Sequence, residues 1–349
     1  MHYRKLGRTG IDISLIGLGT MTYGQQNTEA EGHAQMDYAL DRGVNFFDTS
    51  ELYSIPPQPE TAGSTERIIG TWFKARGNRD KVILATKAVG RTTMTWFRDD
   101  ASPGRITKAQ LTEALDKSLA RLQTDYIDLY QLHWPDRATP FGANPARYNP
   151  AEFEGDGAPM HQTLEILDGF VKAGKVRHIG VSNESAWGTM RFVAESNTRK
   201  LPRIQSIQNA YNLLNRTFDV ALAEVSMRER VSLIAYSPLA QGYLTGKYQG
   251  GARPVGARNT LFNRGQRYEL PGSEEAIAQH LAVAAESGLD PSQMAIAFVN
   301  RQPFVASTLI GATTMAQLKT NIAAVDLTLA PDVIARIDAI HQRVGNPAP

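Results

Sequence analysis

Short apolar runs alternate with longer segments of helical periodicity along most of the chain. The apolar runs are rich in β-branched and aromatic residues, as buried parallel strands are, and the segments between them carry apolar residues three and four positions apart. Eight strands are predicted in this way, at Leu15–Thr20, Gly43–Tyr53, Val82–Lys87, Tyr126–His133, Val176–Asn183, Ile204–Gln208, Val231–Tyr236 and Phe304–Ile310. No change of composition divides the alternation, so we predict one α/β domain over residues 1–349, folded as a (β/α)8 TIM barrel.

Helices are predicted between and after these strands. They cover Thr28–Arg42, Ser64–Arg76, Ile106–Arg121, Gln162–Lys172, Glu184–Ser196, Phe218–Arg230, Glu274–Ser287, Pro291–Arg301 and Met315–Val325. The glycines of Leu6–Gly10 predict an N-terminal β-hairpin that closes the bottom of the barrel. Residues 88–105, 134–160 and 241–272 are predicted as long connections that wall the substrate pocket at the carboxyl face.

Most of the predicted strands end on polar side chains. These are Asp48, Lys87, His133, Asn183, Gln208 and Tyr236. Barrel enzymes of this class build their active sites from the carboxyl ends of their strands, so these side chains are candidates for one shared site. Strand ends also meet solvent, and a histidine that closes an apolar run is often a structural residue. Position alone leaves both interpretations open.

Four ionisable groups near the first strand ends suggest a chemistry. Asp48, Tyr53, Lys87 and His133 would crowd one rim if their strands are parallel neighbours. A neighbouring ammonium lowers the pKa of a tyrosine hydroxyl by stabilising the phenolate, and a carboxylate keeps that ammonium charged. A histidine beside them could orient a carbonyl or relay a proton. Such a group polarises and protonates a carbonyl oxygen, and a hydride from a nicotinamide would complete a reduction.

Composition narrows the classes of function. The 349 residues include 37 basic and 35 acidic ones, and the net charge of +2 gives no reason to expect nucleic acid or an anionic membrane as a partner. The absence of cysteine excludes disulfides, thiolate metal sites and cysteine nucleophiles, and we predict no metal site. The N-terminal residues lack the apolar core of a signal peptide, and no run nears the ~20 apolar residues of a membrane span. We therefore expect a cytoplasmic protein, whose oligomeric state the sequence does not indicate.

At Asp48, Tyr53, Lys87 and His133 the chain resembles the aldo-keto reductase superfamily. The resemblance rests on stretches spread along the chain, namely Lys5–Gly10, Gly17–Thr20, Asn45–Thr49 with Tyr53, Thr86–Lys87, Asp125–Pro135, Gly174–Asn183, Gln208–Asn212 and Tyr236–Leu239. Four further stretches, Pro56–Glu60, Ser182–Glu184, Leu214–Arg216 and Gly256–Phe262, look most like the bacterial Tas-type reductases, relatives of potassium-channel β subunits. The resemblance implies a (β/α)8 barrel that binds NADPH in extended form without a Rossmann domain. It also implies reduction of aldehydes, with ketones as a second substrate class, and a small-molecule carbonyl compound as the partner.

The resemblance further implies roles for single residues. The catalytic tetrad would be Asp48, Tyr53, Lys87 and His133, with Tyr53 as the general acid in reduction. Contacts to the substrate would come from Tyr23, Trp134 and Arg216. Contacts to the cofactor would come from Gly19, Thr20, Asp48, Ser182, Asn183, Gln208, Tyr236, Ser237, Leu239, Gly242, Lys247, Arg258, Gly311, Thr313, Gln317 and Asn321.

Within that cofactor set the resemblance assigns each part of NADPH to a different region. Ser182, Asn183 and Gln208 would meet the nicotinamide amide, and Tyr236 would stack on the ring. Ser237, Leu239 and Gly242 would contact the pyrophosphate, and Gly311, Thr313, Gln317 and Asn321 would line the adenosine end. Lys247 and Arg258 would bind the adenosine 2′-phosphate, and two cations that match this extra phosphate favour NADPH over NADH.

Several of these assignments have structural alternatives. Lys247 and Arg258 could be solvated loop charges, and Gln317 and Asn321 could be two residues of a solvated helix face. Tyr23 and Trp134 could be packing residues.

Two other functions also stay open. The chain could be a regulatory or scaffold subunit that binds NADPH with negligible turnover, as the resemblance to channel β subunits allows. It could instead be a Schiff-base barrel enzyme that uses Lys87 without a nicotinamide. A charged Lys87 next to Asp48 disfavours the Schiff base, because the nucleophile there is the neutral amine.

Overall fold

Eight parallel strands close into a barrel in this computed structural model, which describes residues 1–139, 148, 157–264 and 266–348. Two short strands, β1 (Tyr3–Lys5) and β2 (Asp12–Ser14), precede it. The barrel strands are β3 (Ile16–Gly19), β4 (Phe46–Asp48), β5 (Ile83–Ala88), β6 (Ile127–Leu132), β7 (Val176–Ser182), β8 (Ile204–Ala210), β9 (Ser232–Tyr236) and β10 (Val305–Ile310). They lie around the barrel in chain order, and β10 closes it against β3. The predicted α/β class and the TIM barrel are confirmed.

The antiparallel pair β1 and β2 covers the amino-terminal end of the barrel. Leu6 packs with Phe46 inside that end, and the N–H of Gly7 donates to Ser232 Oγ, at the start of β9, over 3.0 Å. Gly7 has a φ of +53°, and a Cβ on it would lie 2.5 Å from the carbonyl oxygen of Gln205. Only glycine allows this close approach, which explains why a glycine occupies this turn. The antiparallel pairing of β1 and β2 confirms the predicted hairpin.

Helices pack around the outside of the strands. They are α1 (Glu29–Asp41), α2 (Ser64–Arg76), α3 (Lys108–Leu122), α4 (Met160–Lys172), α5 (Ala186–Arg199), α6 (Leu222–Glu229), α7 (Arg258–Phe262), α8 (Ser273–Glu286), α9 (Pro291–Asn300), α10 (Met315–Ala323) and α11 (Pro331–Val344). Every predicted helix is present, with its ends shifted by a few residues at most.

Local capping explains why several of these helices begin where they do. Thr28 caps α1 in a capping box with Glu31, because each side chain binds the backbone N–H of the other. The Asp290 carboxylate accepts the N–H of Gln293 over 3.0 Å at the start of α9, and Pro291 occupies the first turn, where its missing N–H costs nothing. These starts follow from a few neighbouring residues, which is why the sequence predicts them.

Two helices lie outside the predicted set. The five-residue α7 occurs within the predicted connection 241–272, where no periodic pattern is long enough to indicate it. The C-terminal α11 buries Val333, Ile337 and Ile340, which have helical spacing, and Pro331 opens its first turn. That pattern was sufficient to predict α11, which packs against α8. Of the predicted connection 134–160, residues 140–147 and 149–156 lie outside the described residues.

The amino-terminal end of the barrel is filled by apolar side chains, and its carboxyl end contains buried polar ones. Leu6, Phe46 and Leu129 belong to the apolar cluster inside the amino-terminal end. At the carboxyl end the buried side chains include Asp48 and Lys87, so a polar site is enclosed there by the same strands. Within the described ranges, no helix has both the length and the apolar character needed to cross a membrane.

Candidate active site

A buried ion pair joins two neighbouring strands at the carboxyl end of the barrel. Asp48 is the last residue of β4, and Lys87 lies near the end of the adjacent β5. Lys87 Nζ donates to Asp48 Oδ2 over 2.6 Å and to the carbonyl of Thr49 over 2.8 Å. The side chains are 0% and 3% exposed, for Lys87 and Asp48 respectively. Burial lowers the pKa of Lys87, and the adjacent Asp48 carboxylate opposes that shift by stabilising the ammonium.

The second carboxylate oxygen of Asp48 is held by amide donors. Gln208 Nε2 donates to Asp48 Oδ1 over 2.8 Å, and Gln131 Nε2 lies 3.4 Å from the same atom. The hydroxyl of Thr20 donates to the backbone carbonyl of Asp48 over 2.9 Å. Because donors occupy both carboxylate oxygens, the side chain is fixed in one orientation with one oxygen directed at Lys87.

Tyr53 brings a hydroxyl to the same ammonium. The distance from Lys87 Nζ is 3.5 Å to the Tyr53 hydroxyl oxygen and 4.9 Å to the ring centroid. Burial raises the pKa of Tyr53 above its ordinary value, the Asp48 charge raises it further, and the Arg258 guanidinium opposes both. The lowered pKa expected from the sequence is therefore wrong for this structure. Loss of solvent is the largest cause of the raised pKa, and the hydroxyl stays protonated at neutral pH.

His133 directly follows β6 and places its ring against Tyr53. The two rings stand edge to face, with centroids 5.6 Å apart and an interplanar angle of 81°. His133 Nδ1 lies 3.1 Å from Ser50 Oγ. Burial lowers the pKa of His133 well below its ordinary value, and the charge of Lys87 lowers it further. The imidazole is therefore neutral at physiological pH, so it can orient a carbonyl group without adding a charge to the site.

Polar side chains at the ends of β7, β8 and β9 form a network beside this tetrad. Asn183 Nδ2 donates to the carbonyl of His133 over 2.8 Å, and Asn183 Oδ1 accepts from the Tyr236 hydroxyl over 2.7 Å. Ser182 Oγ donates to the carbonyl of Gln208 over 2.7 Å. The structure thus brings together the four residues that the resemblance assigns to the nicotinamide. Their contact with a nicotinamide stays a prediction.

Lys247 and Arg258 lie close together in the connection after β9. Arg258 Nη2 is 3.2 Å from Met21 Sδ, and Lys247 Nζ is 5.2 Å from the centroid of the Tyr248 ring. Burial lowers the pKa of Lys247, and the charge of Arg258 lowers it further. Burial also lowers the pKa of Arg258, and a neighbouring arginine, Arg264, adds to this. These residues are not isolated solvated charges, because each is partly buried and placed near another cation.

The segment that the resemblance assigns to the pyrophosphate, residues 237–242, contains several residues with positive φ. Ser237 has a φ of +57° and Gly242 a φ of +99°. The N–H of Gly242 donates to the carbonyl of Leu239 over 2.8 Å. A Cβ on Gly242 would lie 2.6 Å from Lys247 Cε, so glycine here allows the lysine side chain to pass directly over the loop.

Residues assigned to the adenosine end lie on the loop after β10 and on α10. Gln317 Oε1 accepts the N–H of Thr313 over 3.0 Å, and Asn321 Nδ2 donates to the carbonyl of Gly311 over 3.3 Å. Asn321 is buried whereas Gln317 is exposed, so the two do not form one solvated helix face. A Cβ on Gly311 would lie 3.8 Å from the carbonyl oxygen of Gly19, which places the ends of β3 and β10 side by side. The contacts with adenosine stay predictions.

The three predicted substrate contacts have different surroundings. The Trp134 ring lies beside that of His133, with centroids 4.8 Å apart, so Trp134 borders the tetrad. Tyr23 is fully buried in the apolar core. Arg216 Nη1 binds Asp338 of α11 over 2.7 Å. A substrate contact for Trp134 stays a prediction, whereas Tyr23 packs in the core and Arg216 forms an ion pair.

Sequence reasoning did not assign three buried polar residues, Ser50, Glu51 and Arg98, of which Ser50 contacts the tetrad. Arg98 forms two hydrogen bonds to the carboxylate of Glu51, of 2.9 Å and 3.0 Å, in a pair that is 0% and 3% exposed. Ser50 contacts His133, as described above. Ser50 and Glu51 stand between Asp48 and Tyr53, so their proximity in the chain was an available signal. Arg98 lies in the connection 88–105, where no local pattern singles it out.

Comparison with known proteins gives a consistent result over the whole chain. The model of the aldo/keto reductase family matches residues 15–342. The chain is 50% identical to Protein tas of Escherichia coli strain K12, and the match covers 100% of both chains. It is 32% identical to the uncharacterized oxidoreductase YrpG of Bacillus subtilis strain 168, over 100% of this chain and 98% of the relative. It is 28% identical to a probable voltage-gated potassium channel subunit beta of Oryza sativa subsp. japonica, over 98% of this chain and 97% of the relative.

Proposed function

Because the chain belongs to the aldo/keto reductase family, whose members are oxidoreductases, we propose that it reduces aldehydes to alcohols with NADPH. One observation carries the proposal. A buried ammonium, that of Lys87, lies 2.6 Å from the Asp48 carboxylate and 3.5 Å from the Tyr53 hydroxyl. This arrangement suits a carbonyl oxygen that gains negative charge and then a proton. Ketones are a second substrate class for the same chemistry.

In the proposed reduction Tyr53 is the general acid. NADPH, when bound, supplies the hydride that reduces the carbonyl carbon. The Tyr53 hydroxyl gives its proton to the carbonyl oxygen, and the Lys87 ammonium stabilises the phenolate that remains. Asp48 keeps Lys87 charged, and His133 orients the carbonyl from the side of the Tyr53 ring. The raised pKa keeps Tyr53 protonated before the reaction but makes it a weaker acid, so the proposed proton transfer depends on the Lys87 ammonium to stabilise the phenolate.

Two features of the chain fit a nicotinamide cofactor that carries a 2′-phosphate. Asn183, Gln208 and Tyr236 place polar side chains next to the tetrad, and an amide group needs polar neighbours of this kind. Lys247 and Arg258 hold two positive charges close together, and a phosphate that pairs with both would relieve their repulsion. We therefore propose that NADPH binds in preference to NADH.

Cofactor titration followed by turnover in the same sample tests the proposal. The purified protein is titrated with NADPH and with NADH by tryptophan fluorescence. A nitrobenzaldehyde is then added and the nicotinamide absorbance is followed. We expect tighter binding of NADPH and aldehyde-dependent loss of absorbance. Failure to bind NADPH would overturn the cofactor assignment.

Tyr53→Phe tests the role of the general acid. The substitution keeps the ring and removes the proton donor, so we expect kcat to fall by roughly 10²–10⁴-fold while NADPH binding is retained. Tyr3→Phe is the matched control, because the Tyr3 hydroxyl binds the carbonyl of Gly43 over 2.9 Å on the hairpin, at the opposite end of the barrel. Unchanged turnover in Tyr53→Phe would remove Tyr53 from this role.

A regulatory subunit that binds NADPH without turnover is the second candidate function. It is favoured by the similarity to the Oryza sativa protein, which is described as a probable channel subunit. Binding of NADPH without turnover across a panel of aldehydes would support it over the reductase.

A Schiff-base role for Lys87 is disfavoured by its hydrogen bonds to Asp48 and Thr49, which a nucleophilic amine would have to give up. Trapping of a carbonyl substrate on Lys87 by borohydride would reverse that judgement.

Our proposal includes a cytoplasmic location and a small-molecule carbonyl partner, with neither nucleic acid nor membrane as a ligand. Cell fractionation checks the location.

A further inference from the structure

Ser50 contacts the imidazole of His133. Its side chain is completely buried, and its Oγ lies 3.1 Å from His133 Nδ1, although the two residues are 83 positions apart in the chain. We propose that Ser50 is a positioning residue that fixes the tautomer of His133, so that Nδ1 accepts a hydrogen bond and Nε2 carries the proton. This inference rests on the proposed function and adds to it a residue that the resemblance does not assign.

The neighbours of Ser50 decide where its single hydroxyl proton goes. The N–H of Leu52 donates to Ser50 Oγ over 3.2 Å, so that contact uses a lone pair and leaves the proton free. Two acceptors are within reach, His133 Nδ1 at 3.1 Å and the carbonyl oxygen of Lys87 at 3.4 Å. The Lys87 carbonyl already accepts the N–H of Glu51 over 3.2 Å. If Ser50 donated to the Lys87 carbonyl, its Oγ would instead accept a hydrogen bond from an Nδ1–H of His133. The contact with His133 Nδ1, at 3.1 Å, is shorter than the contact with the Lys87 carbonyl, at 3.4 Å, and on this basis we assign the Ser50 proton to the hydrogen bond with His133 Nδ1.

The chemistry of a neutral imidazole then fixes the other nitrogen. A neutral histidine carries one N–H, so an Nδ1 that accepts a hydrogen bond leaves the proton on Nε2. An Nε2–H can donate to a substrate carbonyl oxygen, the same atom that Tyr53 protonates in the proposed reaction. The opposite tautomer would direct a lone pair at that oxygen and repel it. Without the Ser50 hydroxyl, the imidazole would be free to adopt either tautomer.

Long-range ¹H–¹⁵N NMR of protein labelled at histidine tests this assignment directly. The His133 signals are assigned by their absence in His133→Gln. In the wild type we expect a pyridine-type Nδ1 and a pyrrole-type Nε2. In Ser50→Ala we expect the Nδ1–H tautomer to appear and kcat for the aldehyde to fall by roughly fivefold to thirtyfold, with NADPH affinity unchanged. Ser206→Ala is the control, because it removes another completely buried serine hydroxyl from β8 and is expected to change neither quantity.

The outcomes that overturn the inference are distinct from those that overturn the reductase. A pyrrole-type Nδ1 in the wild type would refute it, and this measurement needs neither turnover nor a Ser50 variant. A Ser50→Ala protein that loses turnover but keeps the wild-type tautomer would show a merely structural role and would also refute it. So would an unchanged kcat in that variant. If the wild type reduces no aldehyde, the proposed function fails while the spectrum still decides the tautomer.

Discussion

Asp48→Asn removes the carboxylate charge but keeps the shape of the side chain, and it leaves the Lys87 ammonium buried without a counter-ion. The two groups are 2.6 Å apart and 0% and 3% exposed, for Lys87 and Asp48. Breaking a buried pair by removing one partner costs roughly 3–5 kcal/mol, because the remaining charge is uncompensated. An unfolding entropy of about 2.1 cal/mol/K per residue gives about 0.7 kcal/mol/K for 349 residues, so we expect Tm to fall by roughly 4–7 °C.

Removing the second charge should restore much of that loss. In Lys87→Met alone, Asp48 Oδ1 still accepts from Gln208 over 2.8 Å, so we expect a smaller loss than in Asp48→Asn. A protein that carries both substitutions has no buried charge at this position and should be more stable than Asp48→Asn. We expect a coupling energy of roughly 1.5–3 kcal/mol between the two sites.

The wild type, Asp48→Asn, Lys87→Met and the double variant are compared. Thermal unfolding at pH 7, followed by circular dichroism, gives their Tm values, and urea unfolding gives their free energies of unfolding. Asp12→Asn is the matched control, because Lys5 and Asp12 are also 2.7 Å apart but are 58% and 55% exposed. We expect the control to shift Tm by less than about 1 °C, since exposed ion pairs contribute little. Single-variant losses that add up to the double-variant loss within about 0.5 kcal/mol would refute a coupled ion pair. The assay does not depend on turnover, which all three tetrad variants are expected to lack.

Two further predictions concern the cofactor and the pH dependence of stability. Lys247→Met should raise the KM for NADPH by roughly tenfold to a hundredfold and leave the KM for NADH unchanged, because a charge-assisted contact to the 2′-phosphate is lost. Arg228→Met is the control, since it removes an exposed charge on α6. An equal effect of Lys247→Met on both cofactors would contradict the assignment. Burial lowers the pKa of His280 to about 4, below its ordinary value of 6.5, so between these pH values the unfolded chain binds a proton that the native protein does not. Stability therefore rises with pH through this window, by roughly 3 kcal/mol in total, and is lost as the pH falls from 6.5 to 4. Urea midpoints at pH 7.5 and pH 5 should differ less in His280→Leu than in the wild type, and equal differences would refute this account.

The barrel and the meeting of polar strand-end residues at its carboxyl end could be predicted because they depend on local patterns. Apolar runs of strand length alternate with amphipathic segments, and in a parallel barrel every such run ends at the same face. Asp48, Lys87 and His133 therefore had to meet once the strand ends were correctly placed. The start of α1 at Thr28 and of α9 after Asp290 likewise depends on neighbours within one helical turn.

Contacts between distant segments could not be predicted in this way. Arg98 and Glu51 are 47 positions apart, and only the packing of two connections brings them together. Tyr23 and Trp134 both follow barrel strands and looked equivalent in the sequence, yet Tyr23 lies in the core and Trp134 lies beside His133. The direction of each side chain depends on how the loop after its strand folds back, which no periodicity records.

Protonation states were decided by the tertiary structure alone. The sequence placed Tyr53 near an ammonium and so suggested a lowered pKa, whereas burial and the Asp48 charge raise the pKa of Tyr53. The tautomer of His133 likewise depends on a serine 83 positions away. The sequence determined which ionisable groups share the carboxyl end of the barrel, since strand order and strand length place them there. Their charge and proton positions depend on solvent exclusion and on partners within about 3.5 Å, and both exist only once the chain has folded.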